Sequence, residues 1–122
     1  MKEKTSVSIV LLKLPKSSEH PANQKELDEA LVVLEAVLRK DLRYQDQFLR
    51  YQETSLVGIL AETDEVGAKS LQKRVVEAIH RDARLKDLLV LSGTATYPSD
   101  GDSIQSLLKV AESRALGQSQ AS

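Results

Sequence analysis

The segment Val7-Ser8-Ile9-Val10-Leu11-Leu12 constrains this chain more than any other. It is short, apolar and rich in β-branched residues, the pattern of a buried central strand. Pro15 and the Ser17-Ser18 pair then end it. From about Pro21 the period changes. Leu27, Leu31, Leu34 and Leu38 recur at helical spacing, with Glu26, Glu29, Glu35, Arg39 and Lys40 on the other faces, which predicts a long amphipathic helix to about Leu42.

Phe48 to Tyr51 and Leu56 to Leu60 read as two strands joined by the polar turn Gln52-Glu53-Thr54-Ser55. Thr63 or Asp64 can cap a second helix, whose apolar face is Leu71, Val75, Ala78 and Ile79. A further strand is expected to begin at Leu88-Leu89-Val90-Leu91 and to extend through Tyr97. Pro98-Ser99-Asp100-Gly101 is a strong turn signal. Ile104, Leu107, Leu108, Ala111 and Ala115 then form a last amphipathic helix, with a small, polar tail from Gly117 to Ser122 expected to fray. The order β-α-β-β-α-β-α predicts an α+β, ferredoxin-like fold: a central, mainly antiparallel sheet flanked by helices.

A chain of 122 residues has room for one core, so a single domain over 1–122 is expected. The net charge of -1 gives no electrostatic case for nucleic acid, and aromatics at 3% cannot build a base-stacking sheet. Cysteine is absent, which removes thiolate catalysis and cysteine-bound zinc. His20 and His80 show no metal-ligand spacing; His20 reads as solvated surface and His80 as a cation at a helix end. The stretch from Arg81 to Asp87 reads as an exposed connection, and no serine near Asp100 or Asp102 has a neighbouring base. With no apolar run long enough for a membrane span and no signal-peptide pattern, a cytoplasmic protein without membrane contact is the expectation.

Two segments resemble a known family. Leu42 to Thr63, LRYQDQFLRYQETSLVGILAET, resembles the centre of GGDEF (diguanylate cyclase-like) domains. There, Arg-x-x-Asp precedes a strand, an Arg-Tyr pair, the Gly-Gly-Asp/Glu-Glu-Phe hairpin and an apolar strand. Gly93 to Ser103, followed by Leu107-Leu108-x-x-Ala111-Glu112, is similar to the family's late strand, its Tyr-Pro-x-Asp-Gly turn and its final helix. The second match is the more specific, and the order and separation of the two cover nearly the whole chain.

The resemblance implies a degenerate domain. The family's hairpin glycines let backbone approach a nucleotide, and its acidic residues hold Mg²⁺. Here Gln52, Glu53, Thr54 and Ser55 stand in those places, with Leu56 for the Phe, so side chains fill the space of the nucleotide. The metal position becomes Thr54, and Glu53 lies one residue early. On the first strand an ungapped alignment puts Leu11 and Lys13 at the family's Asp-x-Asp pair; a small gap would change the pairing but offers no carboxylate before Glu19. A guanine-reading Asn becomes Glu19, Asp28 falls at a second guanine contact, and the phosphate-binding Lys falls near Gln120. Mg²⁺ on a triphosphate needs hard oxygen ligands, so the expectation is no enzyme, no catalytic residue, no metal site and no cofactor.

One regulatory feature of the family has a counterpart. Many members bind their product, cyclic di-GMP, at an Arg-x-x-Asp motif upstream of the hairpin, completed by an Arg on the following helix. Arg43, Asp46 and Arg74 occupy those offsets. Arg can donate two parallel hydrogen bonds to guanine O6 and N7, and Asp can accept from its N–H groups. The plainer reading is a local salt bridge at a helix-to-strand junction and a helix-surface arginine, relics of descent. The functional expectations are therefore a regulatory domain that is a cyclic di-GMP receptor, or a docking unit for a protein partner or a second copy. A residual cyclase or hydrolase is the alternative of another class, and an unrelated ferredoxin-like metabolite binder is a third.

Overall fold

In the computed structural model, residues 6–14, 24–52, 54–85 and 88–120 are described. Their elements run β1 (Val7–Lys13), α1 (Gln24–Asp41), β2 (Gln47–Tyr51), β3 (Ser55–Leu60), α2 (Glu65–Arg81), β4 (Leu91–Tyr97) and α3 (Ile104–Gln120). The strands form one antiparallel sheet in the order β2-β3-β1-β4. This is the expected α+β plan, with the expected element order.

The continuous apolar character of β1 follows from its place in three layers. Successive side chains of a strand point to opposite faces. Val10 and Leu12, with Leu56 and Leu60 of β3, pack against Leu31, Leu34 and Leu38 of α1 and Leu71, Val75 and Ile79 of α2. Ile9 and Leu11, with Val57 and the β4 residues Leu91 and Ala95, pack against Leu107, Ala111 and Ala115 of α3. From Ser8 to Leu12 neither face of β1 meets water; only its end residues, Val7 and Lys13, are partly exposed.

Asp64, not Thr63, caps α2: its Oδ1 accepts the Gly67 N–H at 2.9 Å. His80 lies in the last turn of α2, where the sequence expected a cation. Two boundaries differ from expectation by more than one residue. β4 begins at Leu91, while Leu88 and Leu89 are exposed. Leu91 pairs with Lys13, the last residue of β1, so residues before it have no strand to pair with. α3 runs through Gly117 to Gln120, where fraying was expected. A helical glycine weakens the spiral by ~1 kcal/mol relative to alanine without ending it. Glu19, His20 and Glu53 lie outside the described residues, as does the expected helix start near Pro21. Among the described residues, no helix is long and apolar enough to cross a membrane.

Gly93 sets the distance between β4 and α3. A Cβ there would lie 2.1 Å from the Ala111 carbonyl oxygen and 2.9 Å from Ala115 N, so only glycine permits this approach.

Candidate functional site

The loop between β2 and β3 is a turn joining neighbouring antiparallel strands, closed by the pair Tyr51 and Ser55. Gln52 takes φ 60, the left-handed region that glycine enters without steric cost. The Leu14 N–H donates to the Thr54 carbonyl at 2.9 Å and fastens the hairpin root to the end of β1. Thr54 and Ser55 are both buried, and the Ser55 Oγ finds no hydrogen-bond partner among the described residues.

Opposite Ser55 in the register stands Lys13. Its Nζ lies 3.6 Å from Glu112 Oε2 of α3. Leu11, two residues earlier, is fully buried in the α3-side core. The end of β1 thus supplies one hydrocarbon and one ammonium, and the described residues of the hairpin root supply neutral hydroxyls at Thr54 and Ser55. A divalent cation requires several hard oxygens, usually carboxylates, and is repelled by an ammonium. These residues do not fit Mg²⁺. Among the described residues no group of three or more His, Asp or Glu could hold a metal ion.

The other candidate site lies at the junction that leads from α1 into β2. Arg43 and Asp46 meet face to face. Arg43 Nε donates to Asp46 Oδ2 and Nη2 to Oδ1, each at 3.1 Å, and the Arg43 backbone N–H adds a third bond to Oδ2 at 2.9 Å. The Nη2 group also donates to the Ala61 carbonyl and, at 2.7 Å, to Thr63 Oγ1. The Ala61 N–H donates back to Asp46 Oδ1 at 3.0 Å. The pair therefore clamps the α1–β2 connection to the β3–α2 connection.

Burial alone would push the Asp46 carboxyl up. The hydrogen bonds from the Arg43 guanidinium, the Arg43 N–H and the Ala61 N–H outweigh it and hold the carboxyl below the usual carboxylate range. The same hydrogen bond raises the Arg43 guanidinium. The Asp46 side chain is 1% exposed, against 47% for Arg43.

Arg74 stands apart from this pair. Its Nε is 3.4 Å from Asp41 Oδ1 and its Nη1 donates to Ser70 Oγ at 3.2 Å, with the side chain 54% exposed. No described contact joins it to Arg43 or Asp46. Asp28 is exposed on α1.

Sequence reasoning missed three polar links. Lys13 with Glu112 is one. In the second, the buried Ser8 Oγ donates to the Thr63 carbonyl at 2.7 Å and lies 2.9 Å from Thr96 Oγ1. In the third, Arg114 of α3 makes a two-pronged ion pair with Asp100, at 3.1 and 3.0 Å, and donates to the Thr94 carbonyl. Asp100 accepts the Thr96 N–H at 2.9 Å, and the Arg114 guanidinium holds its carboxyl below the usual range. The turn signal marked Asp100, but nothing in a linear reading joins it to a residue fourteen positions on.

No protein-family model matches the chain, and no curated protein does. Solved structures do. The GGDEF domain of YfiN (TpbB) from Pseudomonas aeruginosa superposes with a TM-score of 0.78 at 20% identity, over 96% of this chain and 78% of that one. The GGDEF domain of FimX from the same organism gives 0.77 at 12% identity, over 97% and 77%. The active GGEEF domain of a diguanylate cyclase from Vibrio cholerae gives 0.77 at 10% identity, over 95% and 78%. Four antiparallel strands and three helices, set in the order and register described above, thus give this chain the fold of GGDEF domains.

Proposed function

We propose that this chain is a non-catalytic GGDEF-like regulatory domain that acts by binding a protein, not by turning over a nucleotide. The observation that carries this reading is the Lys13–Glu112 ion pair at the end of β1. An ammonium stands where the resemblance implies a metal-binding carboxylate, and it already has its counter-ion. The left-handed Gln52 supports the reading, since its side chain occupies the place of a hairpin glycine. Incubation with GTP and Mg²⁺ should yield no cyclic di-GMP, with the product followed by chromatography. Turnover that requires Mg²⁺ would overturn the proposal. The reading includes a cytoplasmic setting.

A second reading, a cyclic di-GMP receptor through Arg43, Asp46 and Arg74, is favoured by the partial exposure of both arginine side chains, 47% and 54%. It demands that the ligand displace Asp46 from the Arg43 fork. Calorimetric titration tests it, and Arg74→Ala is the informative variant because the contacts of Arg74 are long and exposed. Binding lost in that variant supports a receptor; no heat in the wild type excludes one.

A further inference from the structure

The two edges of this sheet are finished differently. On β4 the outer edge is closed. Thr96 exchanges hydrogen bonds with Asp100, its N–H to Oδ2 and its carbonyl from the Asp100 N–H at 2.7 Å, while Arg114 takes the Thr94 carbonyl. On β2, among the described residues, neither a strand nor a side chain takes up the outer edge. That edge also lacks the usual guards: Gln47-Phe48-Leu49-Arg50-Tyr51 contains no proline, no lysine and no glycine. Its one charge, Arg50, is countered by Glu35 of α1 at 3.7 Å.

The strand is also complementary to itself. In an antiparallel pairing centred on Leu49, Phe48 of one copy faces Arg50 of the other, a cation beside a ring, and Gln47 faces Tyr51. Phe48 already accepts one guanidinium in this way, with the Arg39 Cζ 4.8 Å from the ring centroid. Leu49 would meet its own counterpart on the face shared with Val57, where it now stands 40% exposed beside half-buried Tyr51 and Ile59. Pairing would join two such apolar surfaces into one and shield both from water.

We infer that β2 pairs with β2 of a second copy across a two-fold axis at Leu49, giving a continuous eight-stranded sheet. The inference deepens the binding-module reading above by naming the partner and the surface.

The full chain tests it directly. Sedimentation equilibrium at micromolar concentrations should show a dimer, and Leu49→Lys, which sets like charges opposite one another, should weaken it at least ~10-fold. Val66→Lys, at a more exposed apolar residue on α2, should leave association unchanged. Because the chain has no cysteine, Leu49→Cys introduces a single thiol. Opposed residues of an antiparallel pair stand close enough for a disulfide, so mild oxidation should yield a covalent dimer that Val66→Cys does not. Thermal melting of each variant confirms folding. A monomeric wild type overturns the pairing, as does a dimer indifferent to Leu49→Lys or one that Leu49→Cys fails to cross-link. None of these outcomes touches the non-catalytic reading, which stands or falls on GTP turnover.

Discussion

Arg43 and Asp46 illustrate how an Arg-x-x-Asp pair can carry structural duty. Every acceptor position of the Asp46 carboxylate is engaged, and the carboxylate is nearly sealed from water. Asp46→Ala strands the Ala61 N–H and part of the Arg43 fork, so it should destabilise the protein by about 1–3 kcal/mol in urea unfolding. Arg43→Ala leaves a buried carboxylate short of its main donor and should cost at least as much. A purely ligand-binding pair would lose little stability in either variant. At the hairpin, Gln52 behaves in the opposite sense. Its left-handed backbone strains any residue with a Cβ, so Gln52→Gly should raise stability by roughly 0.5–1 kcal/mol, the relief of strain slightly exceeding the added chain entropy. An unchanged or lower urea midpoint would show that the Gln52 side chain contributes contacts of its own.

At the scale of elements, α3 depends on one missing side chain. Gly93→Ala would drive a Cβ into the Ala111 carbonyl, and backbone cannot swing aside as a flexible side chain can. The helix must lift from β4, at a cost of ~3 kcal/mol or more, visible as a fall in melting temperature. Element order was legible in the sequence because periodicity reports burial. The 3.6-residue stripe of Leu31, Leu34 and Leu38 and the unbroken run of β1 both record which faces lie inside. The hairpin was legible despite poor turn residues, since the flanking strands fixed it. What escaped were the long-range polar links. Lys13 with Glu112, Ser8 with Thr96 and Asp100 with Arg114 join residues on different elements, and their pairing is decided by register, which no local pattern encodes. The start of β4 escaped for a related reason: Leu88 and Leu89 have strand-like composition, but β1 ends before reaching them.

For the whole molecule, two carboxylates tie the layers together, and both are held below the usual range. Asp46 joins the connection leaving α1 to the one entering α2; Asp100 joins β4 to α3. An aspartate in the unfolded chain takes its proton near pH ~3.9. A carboxyl whose folded-state value lies lower binds fewer protons when folded, so acid favours unfolding. The stability that Asp46 and Asp100 contribute is therefore complete above the unfolded value and is lost as pH falls through the lower folded values. Urea midpoints measured from neutral pH downwards should be level to about pH 5 and then decline steeply. Asp46→Asn and Asp100→Asn should each start from lower stability at neutral pH and show a shallower acid decline. Because the two carboxylates share no partner, their effects should add to within ~0.5 kcal/mol in the double variant. An acid limb as steep in the double variant as in the wild type would place the responsible protons elsewhere. A strongly non-additive result would mean that the α1–α2 layer and the α3 layer unfold through a common contact, with β1, packed on both, as the element that links them.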